Sequence, residues 1–292
     1  MATQLFIYES AVAVSSARHA KHSVQVSADY GFARNVNSLP LTGVEFLQAA
    51  QEYPVVFAGD GDAFMPTAVL GLRDRENAFL DAQGTWSARY IPAFARRYPF
   101  VFSGTDDGAN FTLCIDESFP GLNTVGRGER LFDDQGKPTQ YVDNVLKFLQ
   151  QYQIEYQRTH TFCNRLKELD LFTPMQAQVN LGDGAQVSLR GFMAIDRAKL
   201  KALPGEALAE LAKNDTLELI YAHLHSMQRF ASIRERLVTG KPTAAVEPAA
   251  VVEPAAVVKP AAVVKPAAKE RKIGKPARVA AGKKRAAGAK KR

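Results

Sequence analysis

The feature that most constrains this chain is a break in composition just after Leu237. Beyond it, the motif Ala-Ala-Val-Val-x-Pro occurs three times between residues 249 and 266. A proline at every sixth position prevents a continuous helix, and the residue before each proline is biased towards extended conformations. We therefore predict that residues 1–238 form an α+β folded domain. Residues 239–292 are predicted to be a disordered tail that begins as a semi-rigid spacer.

Charge separates the same two parts of the chain. Residues 239–292 hold 14 basic and three acidic residues, a net charge of +11, and the remainder carries −4. The end of the tail contains two basic runs, Lys283-Lys284-Arg285 and Lys290-Lys291-Arg292. A flexible cation of this kind suits nucleic acid or another polyanion and has no sequence preference. A solubilising or assembly-related arm stays open as the alternative.

Short strands joined by tight turns are the main pattern in the folded part. β-branched and aromatic runs at 53–57 and 67–72 flank a Gly/Asp turn, and runs at 100–102 and 111–115 flank another. Alternating residues at 177–181 and 187–189 around Gly182-Asp183-Gly184 predict a further hairpin. Hairpins without βαβ units predict an α+β fold, with one long and several shorter helices packed on an antiparallel sheet.

Helices are predicted from periodicity and from capping residues. The longest is expected to begin near Pro138, with Pro174 at its far limit and an apolar stripe made by Val142, Val145, Leu149, Tyr152, Tyr156, Cys163, Leu166 and Leu169. Another is expected over 88–96, with Pro92 in its first turn. Caps are predicted at Thr42 with Glu45, at Asp196, and at Asp215 with Glu218. The closing helix would turn to the core a face made by Leu217, Ile220, Leu224, Met227 and Ala231.

The N-terminus, the lengths of the apolar runs and the cysteines indicate the cellular compartment of the protein. The first ten residues have neither the basic region nor the apolar region of a secretory signal. No apolar run approaches the ~20 residues of a membrane helix. We therefore expect a soluble, cytoplasmic protein. The only cysteines, Cys114 and Cys163, fit a reducing compartment, and we expect no disulfide between them.

One segment of the folded part is a candidate binding surface, formed by Trp86, Tyr90, Arg96 and Arg97. Aromatic side chains with arginine are the favoured anchors of interfaces. The alternative is that Trp86 and Tyr90 pack in the core, while the arginines are solvated or pair with Asp81 or Asp74. An enzyme with its site here would need a deep pocket that contains one of the arginines and a nearby carboxylate.

The other titratable residues predict no catalytic residue, no metal and no cofactor. His19 and His22 are three apart but have no third ligand nearby, and His223 and His225 would point to different sides of a helix. The acidic pairs lie beside turns, where such residues cap or are solvated; they are Asp106-Asp107, Asp116-Glu117 and Asp133-Asp134. The glycines of 120–128 match neither a P-loop nor a dinucleotide fingerprint and predict a surface loop or lid.

Three stretches of the folded part carry a family resemblance. They are Tyr53-Pro54-Val55-Val56-Phe57, then Asn77-x-Phe79-x-Asp81-x-x-Gly84-x-Trp86-x-x-x-Tyr90-Ile91-Pro92, and Arg96-Arg97-Tyr98-Pro99-Phe100. Together with 191–196 and 217–226, they resemble the bacterial SapC-like family over about residues 5–237. The family is named for a surface layer and has no established catalytic residues.

The resemblance implies a non-enzymatic accessory or assembly protein of surface-layer or envelope biology that acts through a protein partner. The basic tail is not part of the family pattern. Two alternatives stay open: a polyanion-binding protein anchored to nucleic acid by its tail, and an enzyme with its site near Trp86 and Arg97.

Overall fold

The fold comes from a computed structural model, which describes residues 7–59, 63–104, 111–181 and 186–239. The predicted spacer and the basic runs lie outside the described residues. So do parts of the three predicted hairpin turns, at residues 60–62, 105–110 and 182–185. In the described part, helices occur together with antiparallel strands, and this confirms the predicted α+β class.

Strands and helices alternate irregularly along the chain. The strands are β1 (Ala11–Ala13), β2 (Ser23–Val24), β3 (Ser38–Pro40), β4 (Val55–Ala58), β5 (Met65–Val69), β6 (Phe100–Gly104), β7 (Phe111–Asp116), β8 (Leu122–Asn123), β9 (Glu129–Arg130), β10 (Phe172–Asn180) and β11 (Gln186–Ile195). The helices are α1 (Ser16–His19), α2 (Phe46–Ala49), α3 (Ala93–Arg96), α4 (Gln140–Glu168), α5 (Arg197–Ala202), α6 (Gly205–Lys213), α7 (Thr216–Ser226) and α8 (Phe230–Thr239). Short 3-10 turns occur at Gly31–Ala33, Gly43–Glu45 and Met227–Arg229.

The largest sheet has five antiparallel strands in the order β10-β11-β4-β5-β3. Two of its pairs are predicted hairpins: Val56 lies opposite Thr67 in β4 and β5, and Val179 lies opposite Val187 in β10 and β11. The central pair, β11 with β4, has a single registered position, Met193 with Phe57. Backbone groups beside that position therefore need other hydrogen-bond partners.

Two three-stranded sheets complete the strand pairing. One has the order β1-β7-β6 and contains the predicted pair β6–β7, with Val101 opposite Cys114. The other has the order β8-β2-β9, and the glycine-rich segment predicted as a loop or lid connects β8 to β9. Asn123 holds this segment, since its Nδ2 donates to the carbonyls of Ser23 at 3.2 Å and Arg127 at 2.9 Å.

The predicted long helix is confirmed as α4, which has 29 residues. Thr139 is its N-cap, and Val142 and Leu149 of the predicted stripe are buried. The helix ends at Glu168, before Pro174. That proline lies in β10, an edge strand of the main sheet, where a missing backbone N–H is tolerated.

Two of the predicted caps form. Thr42 and Glu45 make a capping box at the 3-10 turn that leads into α2. Asp196 caps α5, where its Oδ1 accepts the backbone N–H of Ala198 at 2.7 Å. Both caps follow from local sequence because donor and acceptor lie within three residues of each other.

Two helix starts differ from the prediction. α3 begins only at Ala93, with Pro92 as its N-cap, so residues 88–91 are not helical; the residues before a proline are biased away from the helical region. The capping box predicted at Asp215 is wrong. Its φ is 60° and its side chain makes no cap hydrogen bond. Asn214 Oδ1 accepts the Thr216 N–H instead, at 3.2 Å.

The closing helix is divided into α7 and α8, and its buried face differs from the predicted one. The buried residues are Thr216, Ile220, His223 and Ser226 in α7, followed by Phe230, Ser232, Ile233 and Arg236 in α8. Leu224, Met227 and Ala231 of the predicted face are only partly buried. Of the predicted stripe, Ile220 is therefore in the core, whereas Leu224 and Met227 pack at its margin.

The core lies where the main sheet meets the helices. α4 packs against β5, and α7 packs against β4 and β11. Its largest fully buried side chains include Tyr53, Phe46, Phe57, Phe79 and Phe94. Both cysteines are buried free thiols, as expected. Among the described residues, no helix is both long and apolar enough to cross a membrane.

Candidate functional site

Trp86 belongs to a buried hydrogen-bond chain. Its Nε1 donates to the Tyr53 hydroxyl at 2.8 Å, and that hydroxyl donates to the backbone carbonyl of Tyr90. Trp86 is 7% exposed and Tyr53 is fully buried. Burial raises the pKa of Tyr53 well above its usual range. These hydrogen bonds fix the backbone between Trp86 and Tyr90 beside Tyr53, and they hold the indole in the core.

Glu45 connects Tyr90 to α3. Its Oε2 accepts the Thr42 N–H at 2.7 Å and the Thr42 hydroxyl at 2.9 Å, while its Oε1 accepts the Tyr90 hydroxyl and the Ala93 N–H, both at 2.7 Å. The side chain is buried, and four donors compensate for the desolvation of its charge. Burial, followed by the neighbouring Glu45, raises the pKa of Tyr90. The capping pattern identified Glu45, but its contacts with Tyr90 and α3 have no local sequence signal.

A tight turn precedes Trp86. Asp81 Oδ1 accepts the backbone N–H groups of Gln83 at 3.0 Å and Thr85 at 2.8 Å. Gly84 has a φ of +83°, and a Cβ there would lie 2.0 Å from Asp29 Oδ1. The turn therefore requires glycine, and the Asp81 carboxylate serves the turn.

The two adjacent arginines lie in different environments. Arg97 is 4% exposed, and its guanidinium carbon lies 4.0 Å from the ring centre of Phe94 and 5.0 Å from that of Tyr152. Arg96 is exposed; its Nε donates to the Ile91 carbonyl at 3.0 Å and its guanidinium carbon lies 5.7 Å from the ring centre of Phe148. Arg97 is thus part of the packing, whereas Arg96 presents a held cation to solvent.

A pocket of about 330 Å³, here called the aromatic pocket, lies beside Arg96. Seven aromatic residues line it: Tyr30, Phe32, Tyr98, Phe100, Phe119, Tyr141 and Phe148. The rings of Phe32 and Tyr98 stack with centres 4.0 Å apart. The carboxylate in the lining is Asp29, whose Oδ1 accepts the Gly31 N–H at 2.7 Å. The pocket thus brings both arginines and one carboxylate together.

Sequence reasoning missed most of this pocket's wall. Tyr141 and Phe148 come from α4, and Tyr30 and Phe32 come from the segment around the first 3-10 turn. Helical periodicity would not single out Phe148, because it lies beside the buried stripe of α4 rather than in it. The spacing of Tyr30 and Phe32 around Gly31 is the one local signal that could have indicated this wall.

A second group of titratable side chains surrounds His19. Its Nε2 lies 3.2 Å from Glu117 Oε1, and Arg18 donates to both oxygens of that carboxylate, at 2.5 and 2.7 Å. Burial lowers the pKa of His19, although the bond to Glu117 opposes this. His22 lies beside it, with ring centres 5.2 Å apart. Across the described ranges, no group of three or more His, Cys, Asp or Glu residues is arranged to hold a metal ion.

The acidic pairs differ in their surroundings. Asp116 is fully buried and accepts the N–H groups of Glu9 at 2.8 Å and Ser10 at 3.0 Å. Desolvation would raise its pKa, but the hydrogen bonds from Ser118 and from these N–H groups outweigh it and lower the pKa. Asp133 caps its turn as predicted, with its Oδ1 accepting the Gln135 N–H at 2.8 Å. The pair at 106–107 lies outside the described residues.

His223 joins the two central strands of the main sheet. Its Nδ1 donates to the Val55 carbonyl at 2.7 Å and its Nε2 accepts the Ile195 N–H at 3.0 Å. Ser226 Oγ accepts the Val55 N–H at 2.9 Å. These bonds satisfy backbone groups beside the sparsely paired junction of β4 and β11. The ring is fully buried, which lowers its pKa to about 4, whereas His225 is exposed on the other side of α7.

Comparison with known proteins identifies a family. The SapC family model matches residues 14–233, a region that contains the Trp86 segment, the aromatic pocket and His223. No curated protein and no solved structure matches the chain significantly. The match covers well over half of the chain and leaves the tail outside. The protein therefore belongs to the SapC family.

Proposed function

We propose that this protein is a non-enzymatic binding protein whose aromatic pocket takes an acidic group of a protein partner. The observation that supports this most is Arg96, an exposed guanidinium held against the rings of Phe148 and Tyr90 at the mouth of the pocket. Arginine bonds carboxylates strongly, and arginine with aromatic residues is typical of interface anchors. Arg96 would contact the partner, while Trp86, Tyr90 and Arg97 would hold the wall in place.

The size of the pocket suits part of a protein segment. A volume of about 330 Å³ lies at the small end of ligand pockets, which favours one or two side chains over a large cofactor. Aromatic faces would pack against an apolar neighbour of the acidic group. As part of the same proposal, the partner belongs to the surface layer or the envelope, the association that the family name carries.

The enzyme alternative has less support from the same geometry. Acid–base catalysis needs a titratable group that is free to exchange a proton with the substrate. Asp29 is exposed and accepts the Gly31 N–H, and the described residues that line the pocket include no histidine and no cysteine. Binding therefore accounts for the arginine and the rings without requiring a reaction.

The test is capture of the partner by the full chain after nuclease treatment, followed by a titration with the purified partner. We expect Arg96→Gln to weaken binding by about ten-fold, the value of one charge-assisted hydrogen bond. Arg190→Gln, an exposed arginine on β11 outside the pocket, is the matched control and should bind like wild type. Equal affinities for both variants, with wild-type melting temperatures, would contradict the proposal.

Charge segregation favours a second candidate, a polyanion-binding role for the tail. The 14 basic residues after residue 238 would bind nucleic acid through counterion release. Affinity for duplex DNA of arbitrary sequence should then fall steeply with salt and be lost when the chain is truncated at Thr239. Binding that survives this truncation would exclude the tail as its source.

A further inference from the structure

A second cavity, of about 710 Å³, lies between the β10–β11 hairpin and helices α7 and α8. Its wall includes Met175, Leu224, Met227 and Phe230, and it shares no lining residue with the aromatic pocket. Leu224 and Met227 belong to the stripe that the sequence assigned to the core, yet both are only partly buried. Part of each side chain packs against the core, and the remainder lines a cavity large enough for a ligand.

Two arginines line this cavity near opposite ends of the β10–β11 hairpin, since Arg197 follows Ile195, the partner of Phe172, whereas Arg234 contacts Asn180. Arg197, the first residue of α5, and Arg234 of α8 are both exposed and both line it. Arg234 is held in place, since its Nε donates to the Asn180 carbonyl at 2.7 Å. In the part of the chain that the structure describes, neither arginine pairs with a carboxylate. The positive charge of these guanidinium groups is thus available to an anion.

Two titratable side chains of the wall, Asp196 and His223, are already engaged. Asp196 accepts the N–H groups of Ala198 at 2.7 Å and Lys199 at 3.2 Å. His223 uses both ring nitrogens on backbone groups of Val55 and Ile195. Neither side chain is free for catalysis, so the cavity is suited to hold a ligand rather than to transform one.

We propose that this cavity binds a long-chain fatty acid, with the alkyl chain against the methionine, leucine and phenylalanine side chains and the carboxylate at Arg234. Methionine adapts its shape to flexible apolar chains, and burial of each methylene group favours binding. An apolar wall with one fixed, unpaired guanidinium group at its Asn180 end is complementary to a molecule that has one anionic end. The inference concerns a different site and does not rest on the proposed partner binding.

The experiment is calorimetric titration of the full chain with dodecanoate below its micellar concentration. Ala231→Phe would fill the cavity from α8 and should abolish the heat of binding. Ala209→Phe, an exposed position on α6 outside the cavity, is the matched control and should bind as wild type does. Every variant has the same basic tail, so a difference between the two reports on the cavity.

The head group is tested separately. Arg234→Gln changes an exposed residue, should leave the fold intact and should weaken dodecanoate binding by about ten-fold, whereas Arg197→Gln, near the other end of the hairpin, should bind like wild type. Binding of 1-dodecanol should be weaker than that of dodecanoate and insensitive to both substitutions. Equal affinity of Ala231→Phe and wild type for dodecanoate would overturn the site. Dodecanol binding as tightly as dodecanoate, or dodecyl phosphate binding more tightly, would overturn the assignment to a fatty acid.

Discussion

Glu45 and His223 are both buried polar side chains that join distant parts of the chain, but they do so in different charge states. Glu45 only accepts hydrogen bonds, from two backbone N–H groups and two hydroxyls, as an ionised carboxylate does. His223 accepts one bond and donates one, which requires a neutral ring. Glu45 therefore needs its charge to hold its partners together, whereas His223 must stay neutral.

This difference predicts how the stabilising effect of each side chain is lost. Loss of Glu45 would leave several buried donors without an acceptor, and this costs stability. Protonation of His223 in acid would destabilise the fold, because it would place a charge on a fully buried ring. Both side chains lie in the region that the family match covers.

The largest effect is expected for Glu45→Ala. Its buried partners, the Thr42 and Ala93 N–H groups and the Tyr90 hydroxyl, would lose their acceptor, so the free energy of unfolding should fall by about 3–5 kcal/mol. Urea unfolding measures it. The conservative Glu45→Gln, which keeps one oxygen acceptor, should lose less. A loss below about 1 kcal/mol for the alanine variant would show that the hydrogen bonds of Glu45 contribute little to stability.

His223 should make stability depend on pH. Its folded pKa is about 4 against an ordinary 6.5, so the unfolded chain binds more protons between these values. The contribution is present above pH 6.5 and is lost as the pH falls towards 4. Between pH 7 and pH 5 this amounts to roughly 2 kcal/mol.

The variant His223→Gln isolates this term. Glutamine can donate and accept but does not titrate, so its stability should fall less than that of wild type between pH 7 and pH 5. Urea unfolding at the two pH values gives the difference. The same pH dependence in both proteins would mean that His223 does not cause it.

The smallest effect concerns the turn that places Trp86 and Tyr90 near Glu45. Gly84→Ala would bring a Cβ to 2.0 Å from Asp29 Oδ1, whereas Gly126→Ala, at a φ of +77°, meets nothing within 4 Å. Both pay for a positive φ, but only Gly84→Ala adds a clash. In thermal unfolding, the Gly84→Ala variant should therefore be less stable than the Gly126→Ala variant by about 1 kcal/mol. Equal melting temperatures would show that the turn relaxes freely.

Much of the fold could be predicted because its signals are local. The stripe of α4 repeats every three or four residues, the β4–β5 hairpin alternates around a short turn, and the cap at Asp196 lies next to the helix that it serves. The prediction failed at Pro92 and at Asp215. The helix predicted from residue 88 begins only at Ala93, after Pro92, and Asp215 has a left-handed backbone and makes no side-chain cap hydrogen bond.

The candidate site was only partly predictable. Arg96 and Arg97 are adjacent and chemically identical, so no local pattern could decide which is buried. Packing of Phe94 and Tyr152 around Arg97 decides it. Likewise His223 has no neighbour in sequence that signals its role, because its partners are Val55 and Ile195.

By itself, the sequence determined the class of the fold, the long helix, the hairpins and the unequal charge of the mildly acidic residues 1–238 and the basic residues 239–292. These follow from periodicity, turn residues and charge, which act over a few residues. The tertiary structure alone decided which polar groups join distant parts of the chain and which arginine faces solvent. It did so because the deciding contacts join residues far apart, as in the bond from the Val55 N–H to Ser226, 171 positions away.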